Sequence, residues 1–142
     1  MTIDQQKTQV LEFIKMQKLG VLATIDVSGQ KPESAVAAFS ETENLELIFG
    51  TFYNTRKFPN LLKNPQISFV IGWDDFTVQY EGVAKLTEGE EMEMCRKIHL
   101  TKNPSSKKYA FEVEQRFFKV TPQWLRFSDF SVTPEQVFEI EF

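Results

Sequence analysis

What most constrains this chain is how short some of its connections are. Residues 21–25 form an apolar strand pattern, Asp26-Val27-Ser28-Gly29-Gln30 is turn chemistry with a glycine at the bend, and residues 32–39 resume as a strand. Residues 66–73 and 76–86 are likewise strand-like and meet at Asp74-Asp75. Antiparallel strands tolerate such links, whereas parallel neighbours need a crossover of about a dozen residues or more. The second of these runs also alternates, with Val78, Tyr80 and Gly82 against Thr77, Gln79 and Glu81, as a strand with one buried face does.

The other segments fit around these hairpins. Val10, Phe13 and Ile14 have helical spacing within residues 3–18, Asp4 is placed to cap that helix, and Gly20 is expected to stop it. A third strand, residues 45–49, follows the polar turn 40–44. A short helix after Thr55 is ended by Asn64-Pro65. Residues 87–100 read as a helix with Thr87 as cap and Glu88, Glu90, Glu91 and Glu93 at its favourable end. Residues 101–108 read as a loop. Residues 117–120 and 124–127 are expected as strands about the bend Thr121-Pro122-Gln123, and 137–142 as a closing strand. Six or seven strands with a few helices make an α+β chain, its antiparallel sheet closed or half-closed into a small barrel. Residues 1–142 are expected to be a single domain.

Composition narrows the function. A net charge of −4 with 14 phenylalanines among 142 residues gives ample core and no general basic face, which argues against nucleic-acid or anionic-membrane partners. A single cysteine, Cys95, forms no internal disulfide or thiol-rich metal site. The amino-terminal residues lack a signal-peptide layout, and no apolar run reaches the roughly 20 residues of a membrane span. A cytoplasmic protein is expected.

One stretch concentrates positive charge and hydroxyls. Gly50-Thr51-Phe52-Tyr53-Asn54-Thr55-Arg56-Lys57 follows the third strand, and no acid occurs between Glu46 and Asp74. With Thr55 as a cap, Arg56 and Lys57 fall in a helical first turn, where cations are disfavoured by up to about 1 kcal/mol. A phosphate would explain them, since hydroxyls, helix N–H groups and paired cations would converge on it. The plainer alternative is an ordinary N-cap followed by solvated charges.

Side-chain catalysis has little support. His99 is the only histidine and has no evident fixed partner, so a surface or half-buried helical position is expected. Cys95 lies four residues away on the same helix face, without a third group to orient the pair. There is no nucleophile elbow, P-loop or dinucleotide fingerprint. Chemistry here would belong to a bound cofactor. Tyr53, Tyr80, Trp124 and Arg126 are pocket candidates, though core or interface roles suit each of them better.

The order of Leu19-Gly20-Val21-Leu22-Ala23-Thr24-Ile25, the Gly29 hairpin, Phe49-Gly50-Thr51, Thr55-Arg56-Lys57, Asn64-Pro65 and Glu81-Gly82-Val83-Ala84 resembles the FMN-binding split-barrel family typified by pyridoxamine 5′-phosphate oxidase. The resemblance implies a six-stranded antiparallel split barrel with flanking helices, and a homodimer with FMN in the clefts between subunits. It implies that Thr51, Thr55, Arg56 and Lys57 hold the phosphate. The strand bearing Ser34 and Val36 would run along the flavin ring, and Thr77 would reach the flavin from the partner subunit. Ser34 and Phe39 replace the oxidase's arginine and lysine, and Arg126-Phe127-Ser128-Asp129 lacks its histidine. Pyridoxamine-phosphate oxidation is therefore not expected. A flavin-dependent oxidoreductase of unknown small-molecule substrate is expected instead. The alternative is a non-catalytic carrier or sensor of flavin or haem on the same fold, and a deazaflavin in place of FMN stays open.

Overall fold

The computed structural model describes residues 1–110, 112 and 115–142. Helix α1, Ile3–Lys15, is capped by Thr2 rather than Asp4. The Thr2 hydroxyl accepts from the Gln5 N–H at 3.2 Å, and the Gln5 carboxamide oxygen accepts from the Thr2 N–H at 2.8 Å. This reciprocal box satisfies two end groups and leaves Asp4 in the first turn. The helix stops at Lys15, so Gly20 is not its terminator. Gly20 lies within strand β1, Leu19–Ile25, where a Cβ would come within 3.0 Å of the Phe69 ring and 3.2 Å of the Val70 carbonyl.

Strand β1 pairs in antiparallel register with β2, Pro32–Ala38. In the turn between them, Asp26 Oδ1 accepts from the N–H groups of Gln30 (3.2 Å) and Lys31 (3.1 Å), and Gly29 supplies a φ of +78°. A two-residue strand β3, Ser40–Glu41, occupies what reads as a polar turn, and β4 covers Leu47–Phe52. Leu45 is not in that strand. It sits at φ +62° in the preceding turn, a conformation costing a leucine about 1 kcal/mol or more. Its side chain is buried and its carbonyl accepts the Tyr80 hydroxyl at 2.8 Å, which hold it there.

Helix α2, Lys57–Lys63, ends at Asn64 as expected, and leads to β5, Gln66–Ile71, and β6, Phe76–Leu86. Helix α3 spans Gly89–Lys102. Thr87 does not cap it, because its hydroxyl is turned away to donate to the Phe117 carbonyl at 2.7 Å. The expected loop 101–108 instead carries the end of α3, a 3-10 turn at Pro104–Ser106 and the start of α4, Lys107–Ala110. The two expected strands about Pro122 form one strand, β7, Gln115–Asp129. Their bend survives as a bulge: Glu81 faces Trp124 while Gly82 faces Pro122, so Gln123 is unmatched. Strand β8, Gln136–Glu141, closes the chain.

The result is α+β: a curled, half-barrel antiparallel sheet with order β2-β1-β5-β6-β7-β4-β3, and β8 paired to the second half of β7. Strands β1, β2, β4, β5, β6 and β7 make the split barrel, to which the two-residue β3 is added at the end of the sheet and β8 along β7. The alternation anticipated in β6 holds, with Val78, Tyr80 and Gly82 inward. Aromatic rings fill the interior: Phe49 stacks on Phe118 at 5.5 Å, and meets Phe69 edge-on at 6.0 Å. A second cluster of Ile48, Cys95 and Phe117 seats α3. The buried Lys102–Glu41 ion pair ties α3 to β3, and Lys102 also donates to the Ile14 carbonyl at the end of α1. No described helix is long and apolar enough to cross a membrane.

Candidate functional site

Strand β2 is hydrogen-bonded only to β1, so it ends the sheet, and the turn between β4 and α2 comes up against it, where Arg56 meets Glu33. That turn is tight. The Thr55 N–H and hydroxyl both donate to the Phe52 carbonyl, at 3.2 and 2.8 Å, and Thr51 Oγ1 lies 2.9 Å from Thr55 Oγ1. Thr55 is therefore not a helix cap. Arg56 takes the N-cap position with helical angles and no side-chain cap bond. With seven residues, α2 offers no helix-terminus anion site of consequence. Hydroxyls and cations remain as candidate anion ligands, and a hydroxyl turns readily to redirect its proton.

The two cations differ. Arg56 finds a carboxylate that local sequence does not reveal: Glu33 of β2 pairs with its guanidinium. The other Glu33 oxygen accepts from Asn60 Nδ2 at 2.6 Å, and that amide nitrogen also reaches Thr24 Oγ1 at 3.2 Å. Lys57 has no carboxylate partner among the described residues. Partial burial lowers its pKa from the ordinary 10.5, because desolvation disfavours the ammonium. A half-buried cation of this kind is a place where an anion is welcome.

Two hollows adjoin here, both lined by Thr55 and Lys57. One, of about 350 Å³, takes in Glu33, Ser34 and Arg56. The other, of about 320 Å³, takes in Val36, Gly50, Thr51, His99, Tyr109 and Gln115. Each falls within the size range of small-molecule sites. Of the residues singled out in the sequence, Ser34, Val36, Thr51, Thr55, Arg56 and Lys57 are thus brought to one groove. Thr77 is not. It faces Ser128 across β6 and β7 and lines a separate hollow with Gln79 and Trp124. Among the other pocket candidates, Tyr80 is core, Trp124 and Arg126 both contact Glu139, and Tyr53 is exposed.

Three groove residues escaped the sequence reading. Gln115 and Tyr109 are single residues in ordinary surroundings, with no local signal. His99 is not the surface or half-buried histidine expected. It is 4% exposed, its Nδ1 lies 3.2 Å from Ser40 Oγ, and Phe117 meets its ring edge-on. Burial, with Lys102 nearby, lowers its pKa to about 4 against an opposing hydrogen bond to the Ile48 backbone, so it is neutral near pH 7. Cys95 shares its buried face, and desolvation raises the thiol's pKa, which suits a packing role.

Residues 6–129 match the family model described as pyridoxamine 5′-phosphate oxidase. The chain belongs to this family. Within the pyridoxamine 5′-phosphate oxidase family, a pyridoxine/pyridoxamine 5′-phosphate oxidase of Alcanivorax borkumensis is 38% identical over 58 residues. That match spans 41% of this chain and 27% of the oxidase. A UPF0306 protein of Campylobacter jejuni is 29% identical over 131 residues, covering 85% of this chain and 87% of the relative. Among solved structures, Campylobacter jejuni ChuZ superposes with a TM-score of 0.81 at 18% identity, over 99% of this chain and 61% of that one. A haem-binding protein from Mycobacterium smegmatis gives 0.79 at 18% identity, over 93% and 57%. These likenesses bear on the fold alone.

Proposed function

We propose that this family member binds FMN in the groove between β2 and the Thr51–Lys57 turn, and acts as a flavin-dependent oxidoreductase. Lys57 carries the proposal: a half-buried ammonium without a carboxylate among the described residues, beside the Thr51–Thr55 hydroxyl pair, where two hollows meet. A phosphate placed there would restore to Lys57 the charge stabilisation it loses by burial. Ser34 and Val36 lie farther along the same groove, in position to flank a ring. Flavin, when bound, supplies the electron-transfer chemistry, and the chain supplies the clamp and the shaped surface.

A homodimer completes the proposal, with Thr77 reaching the ring from the partner. Val36, Val21 and Val70 lie in one cross-strand row on the outward face of β2, β1 and β5. Val36 is 62% exposed and Val70 39%. An apolar row beside the groove is a natural seat for a second copy.

The second reading is a haem carrier, favoured by the likeness in fold to the haem-binding protein from Mycobacterium smegmatis. Against it stands His99, the only histidine. Its Nδ1 is occupied by Ser40 and its ring is buried, so it is poorly placed to ligate iron.

Absorbance of the purified protein, followed by titration with FMN, tests the proposal. Arg56→Ala with Lys57→Ala should lower FMN affinity about a hundredfold, with Lys57 contributing most, since charge-assisted hydrogen bonds are worth roughly 1.5–3 kcal/mol each. Riboflavin, lacking the phosphate, should bind wild type weakly. FMN affinity unchanged by the double substitution would overturn the clamp. A haem band, or a deazaflavin bound in preference, would replace FMN as the ligand. Reductant turnover by the FMN-loaded protein separates an enzyme from a carrier.

A further inference from the structure

The groove holds one charge that opposes an anion. Among the described residues lining its two hollows, Glu33 is the only carboxylate. Each of its oxygens has a partner of its own: Oε2 meets the Arg56 guanidinium, and Oε1 accepts from Asn60 Nδ2 at 2.6 Å. The second partner is fixed. Asn60 lies in α2 and is 3% exposed, and the same amide nitrogen donates to Thr24 Oγ1 at 3.2 Å, so one side chain ties α2 to both β1 and β2. Only the nitrogen end of a carboxamide donates, so the bond to a carboxylate settles which way round the group lies. The first partner is loose. The Arg56 side chain is 77% exposed against 23% for Glu33, so the arginine is the member of the pair with room to turn. Its backbone is held meanwhile, because the Asn60 N–H donates to the Arg56 carbonyl at 3.4 Å.

We propose that Arg56 has two positions, one on Glu33 in the empty groove and one on the bound anion, and that Asn60 is the positioning residue that lets it leave Glu33. The inference rests on the phosphate site proposed above. A half-buried carboxylate deprived of its cation is costly unless a hydrogen bond to it remains. Asn60 supplies that bond in both positions, and a bond to an ionised acceptor is among the stronger ones. Without it, Glu33 holds Arg56 back and the groove loses one of its two cations. A phosphate ester, carrying nearly two charges at neutral pH, draws the guanidinium across in bidentate fashion. Lys57 takes no part in the Glu33 contact and faces the anion throughout.

The test is FMN titration of wild type, Asn60→Ala, Glu33→Gln and the double variant. Asn60→Ala should weaken FMN about tenfold, because Glu33 then retains Arg56. In the Glu33→Gln background the same change should have no effect, since no carboxylate remains to hold the arginine. A residue that merely seats α2 would weaken FMN equally in both backgrounds, and that result would overturn the inference. A readout on wild type does not depend on how the variants fold. On adding FMN, or inorganic phosphate alone, the Arg56 side-chain N–H signal should shift. The Asn60 amide proton on Glu33 should move downfield at the same time, as its acceptor is no longer shared with a guanidinium. If FMN binds and the Asn60 proton stays where it was, Arg56 does not leave Glu33, and the FMN proposal stands without the exchange. If FMN fails to bind but inorganic phosphate gives both shifts, the flavin is wrong and the exchange stands. If neither probe moves either signal, both proposals fall.

Discussion

The neutral, buried state of His99 makes a sharp prediction about acid stability. Its ring is held down to about pKa 4 in the folded protein, against about 6.5 in an unfolded chain. Between those values the unfolded state binds more protons, so stability falls as pH drops through the window and is complete above about pH 6.5. The separation corresponds to at most about 3.4 kcal/mol, of which about 2 kcal/mol is lost by pH 5. The assay is urea unfolding of wild type and His99→Gln at neutral pH and at about pH 5. The variant should be less stable at neutral pH, having lost the ring's contacts with Ser40 and Phe117. Its deficit should shrink by about 2 kcal/mol at pH 5, because it has no ring to protonate. Carboxylates titrate in both proteins and cancel in the difference. Equal pH slopes for the two proteins would refute a buried, neutral His99.

Three further outcomes are expected. Glu33→Gln releases Arg56 and should raise FMN affinity by up to about fivefold, as an ion pair whose arginine is solvent-exposed is worth roughly 0.2–1 kcal/mol; unchanged affinity would mean that Arg56 does not face the ligand. FMN affinity should decline as pH rises through the lowered pKa of Lys57, below its ordinary 10.5, since the clamp needs the charged form. The decline should vanish in Lys57→Met, and a flat wild-type profile at alkaline pH would count against the clamp. Glu41→Gln should cost about 3–5 kcal/mol in denaturant unfolding by leaving Lys102 buried without its partner. Adding Lys102→Met should recover most of that loss, and a cost below about 1 kcal/mol would show the pair to be solvated.

The parts of the fold visible in sequence are those decided by neighbours in the chain. The Asp26–Gln30 turn was legible because Asp26 closes it through its own near neighbours and Gly29 supplies the required φ. Thr87 and Thr55 misled for the opposite reason. Both are good cap residues followed by helix, yet Phe117 claims one hydroxyl and the Phe52 carbonyl the other. At the site, Thr51, Thr55 and Lys57 could be read together because one tight turn carries them. Glu33 and Gln115 come from segments far away in sequence: the sheet's curl brings Glu33 of β2 to that turn, and direct pairing of β7 with β4 brings Gln115. The Asn-Pro-Ser-Ser segment has the composition of a loop, and still makes a 3-10 turn once Asn103 hydrogen-bonds the Phe39 carbonyl.

On β2, Ala37 points into the aromatic interior, whereas Ser34 and Val36 are exposed along the groove. Arg56 is also exposed, on a turn outside the phenylalanine core. Substitutions at such positions usually change stability by no more than about 0.5 kcal/mol. Selection can therefore rewrite the groove residue by residue while the interior stays under purifying constraint. A lineage built on this scaffold can drift from one ligand to another without passing through an unfolded ancestor.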